Sequence, residues 1–412
     1  MRKVQFAVLA ASALLLCTAK EAAAAVVVIA NRASVPIRLQ YEVHSADQAL
    51  AESTVVDAPA EATRIAAKPV AADPSTKPDR ARPAAARHQI AVGDVMVVPL
   101  HADQVMDIAG SGWQPMTLLP NRVYYFGETA KREIELREIG VGLESIPGPP
   151  PATLLAAGVN LNPTLATDPA ASARLAAQQT ALAKLVAARS TIQVAIYGDD
   201  DQNARRTVWE PRLKKRIAAA SEILKRHCGM ELAVKTVGEW ESDDSNSDFQ
   251  VALREFETKV RPPGVRLAIG FTSQYQITRG RTHLGGTRGP LATHILLREW
   301  SNHVSESERL ELLLHELSHF FGAAHSPEQI SVMRPVLGDR QSRARDFRIG
   351  IDPVNTLIMN MVAEEMRLRG ANSFYQLSAT TKRQMEAVYV SLQQALPEDP
   401  AAGELLRVLR RR

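Results

Sequence analysis

Residues 315–325 read His-Glu-Leu-Ser-His-Phe-Phe-Gly-Ala-Ala-His, and no other stretch restricts the fold as tightly. Histidines four apart stand on one face of a helix, one turn from each other, as a shared metal requires. Glu316 follows His315 directly, so its carboxylate points beside such a metal rather than at it. A base there can hold and deprotonate a water on the metal. Gly322, three residues after His319, can take a positive φ and end the helix in a left-handed cap. The chain can then turn so that His325 approaches the same metal from outside the helix. Three neutral imidazoles and one open position form the pattern of a catalytic zinc, whereas a structural zinc is closed by four protein ligands. The lead-in supports the helix. Ser305 and Glu308 fit a capping box, and Leu310, Leu313, Leu314, Leu317 and Phe321 form an apolar stripe away from the histidines.

Composition narrows the alternatives. Only Cys17 and Cys228 occur in 412 residues, which excludes a disulfide scaffold and a cysteine-rich zinc site. Cys228 reads as a small buried hydrophobe on a helix. The net charge of +4 is too weak to imply nucleic acid, and charged residues at 23% exclude wholesale disorder. Residues 1–25 read as a cleaved signal peptide. Arg2 and Lys3 are basic, 6–16 is an apolar run too short for a stable membrane span, and 22–25 are small residues. The chain is therefore expected to be secreted or periplasmic. A lipoprotein anchored at Cys17 is the lesser reading, because Leu16 stands where a small residue is expected. No later run is apolar enough to cross a membrane.

The remainder divides by texture. Residues 26–148 are β-rich, with strand candidates at 26–29, 37–43, 92–98, 123–126 and 134–139, and suggest a small β-sandwich. Within them 57–87, with five prolines among alanine and charge, reads as a disordered insertion. Pro147, Gly148 and three further prolines mark a boundary. The Pro-rich then Ala-rich stretch 149–190 is either a helical linker or a pro-segment over an active site. From Thr191 strands and helices alternate: strands at 191–197, 231–237, 265–271 and 292–297, helices at 206–228, 248–260 and from about 305. Gly285, Gly286, Gly289 and Pro290 read as turns. This order implies a mixed sheet backed by helices, so the fold class is α+β. Asp352-Pro353 opens one further helix and Ser378 another, and 396–412 reads as a basic C-terminal tail. His283, His294 and His303 read as hydrogen-bonded strand or loop residues. Asp199, Asp200 and Asp201 lack the spacing of a calcium loop, so calcium has no support and they read as a solvated turn.

Over 191–395 the chain resembles the metzincin clan of zinc metallopeptidases. His315, Glu316, His319, Gly322 and His325 match HExxHxxGxxH residue for residue. Met333, within Ser331-Val332-Met333-Arg334-Pro335, resembles the Met-turn, and Pro335 is similar to the adamalysin form of it. No tyrosine stands two residues after the methionine, as it does in astacins and serralysins. The cysteine switch of matrix metalloproteinases and the adamalysin disulfides have no counterpart. The resemblance implies one catalytic Zn2+ held by His315, His319 and His325, with Glu316 as base and Met333 beneath the histidines. The implied activity is that of a zinc metalloendopeptidase on protein or peptide bound in extended form. It also implies that 292–297 is the antiparallel edge strand that binds such a substrate through Ala292, Thr293, His294, Ile295 and Leu296. The residues alone read equally well as an ordinary sheet strand. A non-catalytic exported binding protein, with the sandwich as its working part, and a zinc hydrolase with a non-peptide substrate are the other readings. Intact Glu316 argues against the former.

Overall fold

The computed structural model describes residues 24–45, 86–101, 104–110, 113–129, 132–141, 180–181, 184–200, 204–246, 248–272, 284–298, 304–344 and 349–411. Most of the expected leader, the insertion from 57 to 85, residues 149–179, Asp201, His283 and His303 lie outside them. The sandwich is present. Strands β1 (Ala24–Asn31), β2 (Ile37–Ser45), β3 (Ala86–Ile90), β4 (Val95–His101), β5 (Gln104–Gly110), β6 (Trp113–Leu118), β7 (Arg122–Glu128) and β8 (Ile134–Ile139) form two sheets. Their orders are β4-β1-β7-β8 and β3-β2-β5-β6. Residues 86 and 87, expected in the insertion, belong to β3, and Ala24 and Ala25, expected at the end of the leader, pair with His101 and Leu100. Strands β3, β5 and β6 are not evident in the sequence. Strand β3 is exposed at four of its five positions, and in β5 the adjacent buried pair Val105 and Met106 breaks the apolar alternation.

Ala25, Val27 and Ile29 of β1 point into the sandwich and meet Leu39, Ile108, Leu118 and Phe126. Val28, on the other face, is also fully buried and joins Val123 in a second core. That second core contains Leu224 and Leu357 of the helical region. The unbroken apolar run of β1 thus reflects burial on both faces.

The second region carries β9 (Thr191–Asp199), α1 (Arg206–Cys228), β10 (Glu231–Trp240), α2 (Phe249–Lys259), β11 (Leu267–Thr272), β12 (Gly285–Thr287), β13 (His294–Arg298) and α3 (Glu306–Phe320). The sheet order is β10-β9-β11-β13-β12. Strands β9, β10, β11 and β13 run parallel, and β12 alone is antiparallel, at the edge. The expectation for 292–297 is therefore corrected. His294, Ile295, Leu296 and Leu297 are buried in β13, inside the sheet, and Ala292 and Thr293 precede it. Among the described residues the edge strand is the Gly-Gly-Thr of β12, which the sequence offers only as turn residues. Its pairing comes from β13 rather than from any strand propensity of its own.

Helix ends follow the expected chemistry. Ser305 and Glu308 close a capping box at α3, Gly229 ends α1 at φ 67°, and Asp248 caps α2 through the Val251 N–H. Helices α4 (Pro353–Glu364), α5 (Ala379–Ala395) and α6 (Ala401–Arg410) complete the chain. Helix α4 lies against β1 and β7, α1 against β4, and α6 on α5. Residues 396–412 are thus not a free tail: Ala402 and Leu406 of α6 are buried. Cys228 is buried and free, with its thiol pushed up to about 12 by burial. Among the described residues no helix is long and apolar enough to cross a membrane.

Candidate metal centre

Helix α3 presents His315 and His319 one turn apart, and His325 reaches them from the loop beyond. Their ring centroids lie 4.6 to 5.3 Å apart, and one ligand nitrogen from each falls within 4.8 Å of the others. Gly322 makes the return possible with φ 85°. A Cβ there would also stand 3.2 Å from Met385 Cε and Tyr389 Oη, so the turn needs both the conformation and the space.

Each imidazole is oriented through Nδ1. His315 donates to the Val332 carbonyl at 2.7 Å, His319 to the Ala323 carbonyl at 2.8 Å, and His325 to the Asp399 carboxylate at 2.8 and 2.9 Å. Those oxygens can only accept, so each Nδ1 carries the proton and each Nε2 keeps its lone pair. The Nε2 atoms of His315 and His319 then face each other at 3.1 Å. Two lone pairs that close call for a cation between them. Nitrogens bound to one zinc at about 2.0–2.1 Å stand roughly 3.3 Å apart at a tetrahedral angle, so the donor set fits the ion. Burial, then the neighbouring imidazoles, keeps His315 well below its usual pKa and brings His319 down to about 4. Both are therefore neutral near pH 7, the form in which an imidazole can bind a metal.

Glu316 lies on the same helix, buried, with its Oε1 against β12. Burial pushes its carboxyl up to about 8. A dication among the imidazoles favours the charged form instead.

The loop that carries His325 is tied down from several sides. Ser326 N–H donates to the Met333 carbonyl at 2.8 Å, and Met333 is fully buried. Asn355 of α4 accepts from the Ala324 N–H and donates to its carbonyl, both at 2.9 Å. Arg334 is buried and bonds Glu311 of α3 at 2.6 Å and Asp339 at 2.9 Å. It thereby links the turn after Met333 to the helix that carries His315. Pro335 is exposed and touches none of this network through a hydrogen bond. His294 stands away from the centre, with Nε2 on the Val260 carbonyl at 2.7 Å.

Sequence reasoning misses Asn355 and Asp399. No fixed spacing announces an amide that clamps a loop or a carboxylate behind a ligand, since both act from elements distant in the chain.

Comparison with known proteins agrees. Residues 183–369 match the family model Reprolysin_5, metallo-peptidase family M12. This region is thus similar to a family of metallopeptidases. The matched family is one of metallopeptidases, in keeping with three histidines placed to hold a metal ion. No curated protein matches the chain. Among solved structures, a crystal structure of archaemetzincin from Methanopyrus kandleri is similar at 15% identity and a TM-score of 0.29, over 44% of this chain and 95% of that one. A chaperone–substrate complex matches at 11% identity and a TM-score of 0.29, over 43% of this chain and 34% of that one.

Proposed function

We propose that the chain is an exported zinc endopeptidase in which Glu316 is the catalytic base. The observation that carries this reading is the convergence of three Nε2 lone pairs, each fixed by an acceptor on Nδ1, beside a buried carboxylate on the same helix. Zinc held by His315, His319 and His325 supplies Lewis acidity for the scissile carbonyl and acidity for water.

The chain's own residues supply the rest. The Glu316 carboxylate takes a proton from the attacking water and returns it to the leaving amine. Its burial lowers the local dielectric, which strengthens each of these interactions. Among the described residues no strand pairs with the outer edge of β12, and an extended substrate can add there as a further antiparallel strand. Backbone pairing of that kind reads chain direction more than side chains, in keeping with a peptide substrate of variable sequence. Gly285 of β12 lies against Glu316, so a substrate on this edge runs past the base.

The test is Glu316→Gln in the full chain. Zinc content is expected to stay near one per chain, while peptide cleavage falls by roughly 10² to 10⁴. Unchanged cleavage refutes the role of Glu316.

A further inference from the structure

We propose that Asp399 is a positioning residue for His325, which makes the α5–α6 connection part of the metal centre. The proposal rests on the zinc-site reading above and concerns residues that the histidine motif does not contain.

The three ligands are not supported alike. His315 and His319 stand on a capped, buried helix, and their Nδ1 protons go to neutral backbone carbonyls. His325 lies beyond that helix, in a loop, and is half-buried. Its Nδ1 proton goes instead to a carboxylate 74 residues further along, with both oxygens within 2.9 Å. The least preorganised ligand therefore receives the strongest acceptor.

Asp399 is held in turn. Its Oδ1 accepts the Ala401 N–H at 2.9 Å, and its own N–H donates to the Leu396 carbonyl at 3.1 Å. Its side chain is 9% exposed. Helix α6 anchors the connection to α5 through Ala402, Leu406 and the Arg410–Glu386 ion pair at 2.8 Å. A carboxylate on Nδ1–H fixes the tautomer, stops the ring from turning and raises the basicity of Nε2. It also places negative charge behind a cationic centre. The C-terminal hairpin thus acts as a clasp on the third ligand. A chain ending near 395 would keep the whole HExxHxxGxxH motif and lose this support.

Zinc affinity of the full chain, measured by competition with a chromophoric chelator, tests this without reference to peptidase activity. Asp399→Ala is expected to weaken zinc binding by roughly 10- to 100-fold. Asp399→Asn, which keeps an acceptor and removes the charge, should fall between that variant and the wild type, and Asp399→Glu should recover part of the loss. The Co2+ absorption spectrum should shift in Asp399→Ala but not in Arg410→Ala, which loosens α6 without touching the site. Thermal unfolding of the metal-free Asp399→Asn protein should match the wild type, which a merely structural role would not predict. If Asp399→Ala does not fold, the near-isosteric Asn variant carries the test. Zinc affinities of the Asp399 variants within about twofold of wild type overturn the proposal. Absence of zinc from the wild-type protein instead overturns the metal-site reading itself.

Discussion

The close contact between β12 and Glu316, the proposed base, gives a sharp test of where that side chain sits. A Cβ built on Gly285 would lie 2.7 Å from Leu297 Cδ2 and 3.0 Å from both Cγ and Oε1 of Glu316. Ordinary van der Waals contact begins near 3.4 Å. In Gly285→Ala the Glu316 side chain must therefore give way by about 0.4 Å, and Leu297 Cδ2 by about 0.7 Å within a close-packed core. A displacement of about 1 Å in a catalytic group can cost 10²-fold, so half of that predicts a fall in kcat of about tenfold. The imidazoles are not touched, so zinc content should be unchanged. Gly286→Ala is the matched control. Its Cβ would meet the Phe249 ring at 2.6 Å, on α2 and away from Glu316. Both variants should lose some stability, while only Gly285→Ala should lose kcat at constant zinc. The assay is steady-state cleavage of a quenched fluorescent peptide by full-length protein of measured zinc content. Wild-type kcat in Gly285→Ala, or equal losses in the two variants, would refute the placement of the base against β12.

Two further outcomes concern the scaffold. Arg334→Met leaves Glu311, whose side chain is 2% exposed, without its cation. A cost of about 3–5 kcal/mol in chemical denaturation is expected, largely recovered by adding Glu311→Leu, because an apolar pair can replace a buried ion pair; no recovery would count against the buried-charge explanation. His227 is buried on α1, with its Nδ1 2.9 Å from Thr356 Oγ1 of α4, and burial lowers its pKa from 6.5 to about 4. A depressed histidine pKa contributes stability that is present above 6.5 and lost as pH falls through 4, in total about 3 kcal/mol. Metal-free His227→Asn should therefore show a flatter fall in stability over that window than metal-free wild type, and parallel curves would contradict this.

What is legible in the sequence follows the range of each interaction. The capping box at Ser305 and Glu308, the Gly229 stop, the Asp352 and Ser378 caps and the i,i+4 histidines are local and readable, because their partners lie within one turn. The clustering of His315, His319 and His325 is readable for the same reason, helped by the special conformation that only Gly322 supplies cheaply. The edge strand is misplaced by sequence because β13 is the apolar run and β12 is not. Position in a sheet is set by pairing, and an internal parallel strand and an edge strand can share one composition. Asn355 and Asp399 are invisible because each reaches the site across 31 or 74 residues of chain.

The sandwich bears on the site in a way its composition does not announce. Neither its sequence nor its described residues hold a cluster suited to chemistry. Yet Val28 and Val123, both fully buried, share a core with α1 and α4. Helix α4 is the element whose Asn355 clamps the turn before His325 and whose cap, Asp352, accepts the Ser331 hydroxyl at 2.8 Å. Arg32, just after β1, stacks on Tyr125 and pairs with Glu328, three residues past His325. That ion pair is partly exposed and contributes at most about 1 kcal/mol. The shared core outweighs it, since burying each valine fully stabilises the fold by roughly 1.5–3 kcal/mol. A module joined by such a core fixes α4 from behind, and through α4 it fixes the loop that carries His325. The sandwich and the C-terminal hairpin thus brace the same histidine from two sides, the one member of the cluster that α3 does not carry.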